Sequence, residues 1–188
     1  MKRKVFLNPG HMPGVEPGAC GNGLQEADVA LRIANRAAKY LEAVGYEVMI
    51  LQSDNLAGES PQYPNIVLTA NEWGADLFIS VHCNAFNGNA RGTETIIYSF
   101  GGEAEKLAKC INNQIVNTMQ AIDGEFPDRG VKEDVRRLAV LRLTDMPAAL
   151  VETAFIDNVK DAKLLVEQED NFARCIARGV TDYYTKAA

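Results

Sequence analysis

A segment of nine residues, 76–84, reads Asp-Leu-Phe-Ile-Ser-Val-His-Cys-Asn and constrains the fold more than any other part of the chain. Its apolar, β-branched and aromatic residues follow Gly74 and predict an inner strand of a mostly parallel sheet. In open α/β sheets the ligand site lies at the carboxyl ends of the strands. His82 is therefore expected at the functional edge of the sheet, beside Asn84, a candidate substrate-binding residue.

The other of the two histidines, His11, also follows a short apolar strand, so two strands are expected to deliver one imidazole each to this edge. An apolar stripe with helical spacing then predicts a long helix, with Asn22 as its N-cap and Gln25 in the capping-box position. Glu26 lies in the first turn of that helix. A carboxylate there either compensates the helix dipole or faces back toward His11.

Strand and helix patterns alternate along the rest of the chain. Strands are predicted at residues 46–51, 93–99, 138–143 and 148–155, helices at 65–73 and 103–122 and after the caps Asn158 and Asp170, and loops at 53–64 and 123–132. The alternation predicts an α/β fold, a three-layer α/β/α sandwich around a twisted, mostly parallel sheet of about six strands. With 188 residues the chain is expected to form a single compact domain, residues 1–188.

Two further charged residues are candidates for the site. Glu152 is a carboxylate within the apolar segment 148–155, and burying it requires a partner or a nearby cation. The alternative is an edge strand with Glu152 in solvent. Arg129 lies in the predicted loop 123–132, where it could overhang the site and hold a peptide carboxylate or an oxyanion, or be an ordinary solvated arginine.

Charge and composition exclude several classes of protein. The net charge of -6 leaves no basic stripe for nucleic acid, and no apolar segment is long enough for membrane insertion. The basic residues 2–4 precede too short an apolar stretch for a signal peptide. The four cysteines form no Cys-x-x-Cys pair and are expected to be reduced thiols. Cys83 should face away from His82, which leaves Cys20 as a remote candidate ligand.

Two imidazoles and one carboxylate are a ligand set of catalytic zinc, and His11, Glu26 and His82 supply it. From the pattern alone the signal is weak, because an isolated histidine at a strand end is more often a hydrogen-bonded polar residue than a metal ligand. Glu152 favours the zinc site, because a zinc hydrolase uses a carboxylate outside the ligand set as its general base.

Several separated segments together resemble the zinc-dependent N-acetylmuramoyl-L-alanine amidases of the amidase 3 type. They are Asn8-Pro9-Gly10-His11, Gly18-Ala19, Gly21-Asn22-Gly23 before Glu26, Ser80-Val81-His82-Cys83-Asn84-Ala85, Arg129-Gly130-Val131-Lys132, Met146-Pro147, and Val151-Glu152 with Phe155-Ile156 and Asn158. They occur in family order and span nearly the whole chain. One departure is visible, since Met12 and Pro13 follow His11 where the family usually has two glycines.

The resemblance implies that His11, Glu26 and His82 bind Zn²⁺ and that Glu152 is the catalytic carboxylate. It also implies cleavage of the amide between the lactyl group of N-acetylmuramic acid and the L-alanine of peptidoglycan. The alternatives are a zinc carboxypeptidase-like hydrolase of the stem peptide and a wall-binding module without turnover. A nucleotide-binding domain would need a Gly-rich phosphate loop, and neither Gly-x-Gly-x-x-Gly nor Gly-Lys-Ser/Thr follows the first strand.

The place of action implied by the resemblance is the cell wall. Without a signal peptide, the expectation is release of the phage-lysin type or an isolated catalytic domain of an exported protein. The acidic charge predicts no attraction to anionic wall polymers, so a separate cell-wall-binding module is expected as a partner.

Overall fold

The computed structural model describes residues 2–186 and contains a six-stranded sheet with the strand order β4-β1-β5-β8-β6-β7. The strands are β1 (Lys4–Pro9), β2 (Cys20–Gly21), β3 (Leu24–Gln25), β4 (Glu47–Ile50), β5 (Leu77–Asn84), β6 (Thr93–Ile97), β7 (Asp128–Glu133) and β8 (Ala148–Phe155). The helices are α1 (Glu26–Ala43), α2 (Ile66–Trp73), α3 (Glu103–Ile122), α4 (Ala139–Arg142), α5 (Val159–Glu167) and α6 (Glu169–Lys186). β2 and β3 form a separate small hairpin.

Strand pairing in the large sheet is parallel except between β6 and β8, which run antiparallel. β5 and β8 lie in the interior of the sheet, which explains why most of their residues are apolar and buried. The prediction of a mostly parallel sheet of about six strands is confirmed.

The two faces of the sheet are buried by different helices. Alternate strand residues such as Val5 and Leu7 pack in one buried cluster with α1, α3 and α6, whereas Phe6 packs in a second cluster with α2 and α4. Because successive side chains of a strand point to opposite faces, the two clusters lie on opposite sides of the sheet. The three-layer α/β/α arrangement is therefore confirmed.

Two predictions for the segment between α3 and β8 are wrong. Residues 123–132 were expected to form a surface loop, but β7 pairs with β6 there. Residues 138–143 were expected to form a strand, but Ala139–Arg142 is a single helical turn that buries Val140 and Leu141. A short apolar run fits either structure, because periodicity cannot be read from so few residues.

The predicted caps of α1 and α6 are also wrong. Asn22 has φ 51 in the β2–β3 turn and donates its side-chain N–H to Ile156 O, while Gln25 precedes α1 without a side-chain cap. Helix α6 begins at Glu169, and Asp170 in its first turn accepts a hydrogen bond from the Tyr40 hydroxyl. The predicted cap Asn158 is confirmed at the start of α5, and Asn65, where the second helix was predicted to begin, is the N-cap of α2.

Within residues 2–186, no helix is both long enough and apolar enough to cross a lipid bilayer.

Candidate metal centre and catalytic cleft

Three of the predicted site residues converge at the carboxyl edge of the sheet. His11 follows β1, Glu26 begins α1, and His82 lies near the end of β5. One ligand atom from each of them lies within 4.8 Å of those of the other two. Glu26 Oε2 is 3.1 Å from His11 Nε2, and its Oε1 is 2.8 Å from His82 Nδ1. The structure therefore brings the predicted ligand set together as one cluster.

Glu26 is the centre of this cluster and is also held by the backbone. Its Oε2 accepts the N–H of Ala19 at 2.9 Å, and its Oε1 accepts the N–H of Cys83 at 3.0 Å. Burial alone would raise the pKa of Glu26, but hydrogen bonds to His11 and His82 outweigh it and hold that pKa far below its usual range. Glu26 is therefore held in a fixed position in which its ionised form is favoured.

His11 is fixed by the loop that follows it. Its φ of 60 is rare for a non-glycine residue. The Glu16 carboxylate contacts His11 Nδ1 through one oxygen and accepts the N–H of Gly18 at 2.9 Å through the other. Burial alone would lower the pKa of His11, but hydrogen bonds and charge from Glu26 and Glu16 raise it to about 9. With a proton on Nδ1, His11 donates a hydrogen bond to Glu16, and its other ring nitrogen, Nε2, faces the cluster.

The close packing of this cluster requires glycine at two positions. A Cβ on Gly18 would lie 2.5 Å from the His11 ring and 2.7 Å from the Glu26 carboxylate, and Gly18 also has φ +69. A Cβ on Gly10 would overlap the His82 ring. The backbone thus approaches the imidazoles more closely than a residue with a side chain would allow.

The donor set fits a zinc ion. Two imidazoles and one carboxylate are the protein ligands of one class of catalytic zinc, with a further position for water or substrate. A carboxylate on the outer nitrogen of a ligating imidazole, as Glu16 is on His11, is the usual outer partner of such a ligand. Cys20 lies outside this cluster, with its exposed Sγ donating to Gly18 O, and Cys83 is buried in the core.

Glu152 lies on the neighbouring strand in register with His82, so both side chains project from the same face of the sheet. It is 6% exposed, on an interior strand rather than an edge strand. Its Oε2 is buried without a hydrogen-bond partner among residues 2–186, while its Oε1 is 3.9 Å from Arg136 Nη2. Burial raises the pKa of Glu152, and the nearby charges of Glu26 and Glu94 act in the same direction.

A second buried carboxylate, Glu94 on β6, lies in register with Glu152 on its other side. Its Oε2 accepts hydrogen bonds from Arg129 Nε and Lys132 Nζ, both at 2.6 Å, and its Oε1 accepts one from Asn84 Nδ2 at 3.0 Å. Two cations thus neutralise the carboxylate beside Glu152. Arg129 lies on a strand and contacts Glu94, so the expectation of an overhanging loop is wrong.

An irregularity in the β6–β7 pairing explains how both cations reach Glu94. Thr93 pairs with Asp128 but Thr95 pairs with Val131, so β7 has one extra residue there, and Gly130 has φ +74. Such a bulge turns side chains an odd number of residues apart onto the same face. Arg129 and Lys132 are brought together in this way.

The cluster and Glu152 line one cleft of about 550 Å³. Its walls include the loop after His11, the loop between β4 and α2, and the segment between β7 and α4, with Glu16, Asp54, Glu59, Asn84 and Arg136 among the lining residues. Arg129 is not among them. The substrate-binding roles of Asn84 and Arg129 remain predictions.

Sequence reasoning missed three residues of this region. Glu16 lies only five residues after His11, and a carboxylate so close to a candidate ligand was a usable signal. Glu94 is the second residue of β6 and a carboxylate among β-branched residues, the same kind of signal that identified Glu152. Arg136 lies in a basic stretch with Lys132 and Arg137 that Glu133 and Asp134 interrupt, a pattern typical of a solvated surface, and no local pattern places its guanidinium near Glu152.

Comparison with known proteins adds a family model described as N-acetylmuramoyl-L-alanine amidase, Amidase_3, which matches residues 5–182. The sporulation-specific N-acetylmuramoyl-L-alanine amidase of Bacillus subtilis is 39% identical over 180 residues, covering 94% of this chain and 64% of that protein. The endolysin of Bacillus phage SPP1 is 35% identical over 185 residues, covering 95% of this chain and 64% of that protein. The chain thus spans less than two thirds of the length of these relatives.

Solved structures show the same architecture. N-acetylmuramoyl-L-alanine amidase AmiC2 of Nostoc punctiforme superimposes with a TM-score of 0.83 at 30% sequence identity, and the match covers 98% of both chains.

Proposed function

The chain belongs to the Amidase_3 family of N-acetylmuramoyl-L-alanine amidases, and on that premise we propose that residues 1–188 form a single zinc-dependent catalytic domain acting on the cell wall. The bond cleaved is the amide between the lactyl group of N-acetylmuramic acid and the L-alanine of the stem peptide. The observation that carries this proposal is the register of β5 and β8, which sets a buried carboxylate with an unpartnered oxygen beside the His11, Glu26 and His82 cluster.

His11, Glu26 and His82 are the residues that would hold the metal. Zinc, when bound, supplies a Lewis acid for the scissile carbonyl and for the attacking water. The backbone N–H groups of Ala19 and Cys83 orient the Glu26 carboxylate, and Glu16 orients the His11 ring. The protein part of the site is therefore held in place by contacts that do not depend on the substrate.

Glu152 carries the proton transfer. Its Oε2 has no hydrogen-bond donor among residues 2–186, so it is available to accept a proton from the attacking water. Burial raises the pKa of Glu152, which makes it a stronger base than an exposed glutamate and lets it pass the proton to the departing amine of L-alanine. General acid-base catalysis of this kind contributes about 10²- to 10⁴-fold to the rate.

Affinity for intact cell walls is expected to come from a separate wall-binding module. The net charge of -6 gives this chain no electrostatic attraction to anionic wall polymers. A sedimentation assay with purified sacculi measures this, and strong binding by these 188 residues alone would contradict it.

The experiment that tests the proposed activity is mass spectrometry of purified peptidoglycan after digestion, with and without a zinc chelator. We expect free stem peptides that begin with L-alanine, glycan strands without peptide, and the loss of both products with chelator. Cleavage inside the stem peptide would instead indicate a carboxypeptidase-like hydrolase, and no chelator-sensitive product would indicate a binding module.

A further inference from the structure

The charges that line the catalytic cleft are strongly unbalanced. Its acidic side chains are Glu16, Glu26, Asp54, Glu59 and Glu152. Among the described residues that line the cleft, Arg136 is the only arginine or lysine. Away from the His11, Glu26 and His82 cluster, the carboxylates of this surface repel an anionic group on a substrate, whereas Arg136 attracts one.

Arg136 is presented by a braced segment between β7 and α4. One oxygen of the Asp134 carboxylate accepts the N–H of Arg136 at 2.8 Å, and the other accepts the N–H of Leu138 at 2.5 Å. The N–H of Asp134 in turn donates to Ile97 O at 2.8 Å, which ties the segment to the sheet. Arg137 has φ 59, so the chain turns sharply after Arg136. The backbone of Arg136 is thus fixed at the rim of the cleft.

The Arg136 guanidinium keeps donors available for a ligand. Its Nη2 lies 3.9 Å from Glu152 Oε1, which is an ion-pair distance but longer than a hydrogen bond. The side chain is 56% exposed, and a guanidinium has five N–H donors in a fork that matches a carboxylate. Arg129 and Lys132 do not line the cleft, and each donates a hydrogen bond to Glu94.

We propose that Arg136 binds a free carboxylate on the stem-peptide residue that follows L-alanine, and so makes the enzyme selective for stems in which this group is not amidated. This inference rests on the proposed amidase function. Glu152 acts at the scissile bond, and the next residue of an extended peptide carries its carboxylate about 7 Å beyond that bond. The Arg136 guanidinium lines the same cleft with its Nη2 3.9 Å from Glu152 Oε1, and its exposed side chain can extend toward a carboxylate bound just beyond the scissile bond.

The test compares two N-acetylmuramoyl tripeptides that differ only at the second residue, which is D-isoglutamate in one and D-isoglutamine in the other. The ratio of their kcat/KM values is measured for the zinc-loaded wild type and for Arg136→Gln, Arg136→Lys and Arg137→Gln. Arg137→Gln is the matched control, because it removes the same charge from the same segment and does not line the cleft. Zinc content and circular dichroism verify that each variant is folded and loaded.

We expect the wild type to prefer the carboxylate substrate by about 10- to 100-fold, since a charge-assisted bidentate pair has that strength. In Arg136→Gln the ratio falls toward one through a higher KM for the carboxylate substrate, and Arg136→Lys is intermediate. Arg137→Gln keeps the wild-type ratio. The ratio separates substrate recognition from any general effect of Arg136 on Glu152, because that effect lowers both rates together.

A wild-type ratio near one, or a preference that survives in Arg136→Gln, overturns the inference. If the wild type did not cleave the amide bond that precedes L-alanine in either substrate, the proposed function would be wrong, but the role of Arg136 would still need its own test. Calorimetry with the free peptides L-alanyl-D-isoglutamyl-L-lysine and L-alanyl-D-isoglutaminyl-L-lysine would then decide the role of Arg136. The role of Arg136 is supported if the wild type binds the carboxylate peptide more tightly than Arg136→Gln does. It is refuted if the two proteins bind this peptide equally.

Discussion

The cluster of His11, Glu26 and His82 and the carboxylate of Glu152 lie on the same edge of one sheet, but their polar atoms are satisfied differently. Every oxygen of Glu26 has both a histidine and a backbone N–H as partner. Glu152 has one oxygen without a partner among residues 2–186 and one at 3.9 Å from an arginine. The first arrangement keeps a charge in place, and the second keeps a proton acceptor ready to react.

Replacing a ligand should have the largest effect. For His82→Ala we expect no zinc above background and no turnover, because one of three protein ligands is lost. Metal analysis of the purified protein measures this, and Glu152→Ala serves as the control that keeps its zinc. Full zinc occupancy in His82→Ala would show that the cluster does not hold the metal.

Removing the base should separate chemistry from metal binding. For Glu152→Gln we expect turnover to fall by about 10²- to 10⁴-fold with unchanged zinc content, because the amide cannot accept the proton of water. Rates of muropeptide release together with zinc analysis test this. Near-normal turnover would remove Glu152 from the proposed role.

Weakening the support of His11 should give a smaller change. For Glu16→Gln we expect zinc affinity to fall by about 10- to 100-fold, the usual cost of losing an outer carboxylate partner. Competition with a chelating dye measures the affinity. Glu42→Gln, at an exposed position near the end of α1, removes the same charge without touching the cluster and should match the wild type.

The smallest expected effect concerns stability and its pH dependence. Burial raises the pKa of Glu152, so the folded protein binds a proton at this carboxyl more tightly than the unfolded chain does. The resulting contribution to the free energy of unfolding is present below the usual glutamate pKa of 4.5, and it is lost as the pH rises through the pKa of Glu152 in the folded protein. In metal-free protein at pH 7, Glu152→Gln should therefore be more stable by about 1 kcal/mol, or about 2–4 °C in Tm. Thermal unfolding at pH 7 and pH 4 tests this, and a difference in Tm that is larger at pH 4 would contradict it.

The elements that could be predicted from the sequence are those in which a long hydrophobic pattern indicates a single type of secondary structure. Helix α3 and strand β8 have the expected bounds, because a long apolar stripe and a long apolar run each allow one interpretation. Residues 138–143 were misassigned because six residues carry no period, and their helical turn depends on packing against β8. Asn22 was misassigned as a cap because its side chain bonds to Ile156, which is remote in sequence.

The same distinction applies to the site. His11, Glu26, His82 and Glu152 could be selected from the sequence because each is a polar residue in an apolar or helix-initial context. The two cations that bind Glu94 and the position of Arg136 could not be predicted from the sequence. The former depend on a bulge at Gly130, and the latter depends on a turn at Arg137. Local sequence gives no signal for either of these irregularities that distinguishes them from an ordinary loop.

The position of β8 has a consequence for the order in which the site is assembled during synthesis. All three residues of the metal cluster lie within the first 84 positions, whereas β8 is the last strand in the chain and lies between β5 and β6. The three residues of the cluster are therefore synthesised well before Glu152, which joins them only when β8 inserts between β5 and β6. Because pairing across such a sequence separation is slow, we expect the complete site to form only as folding nears completion.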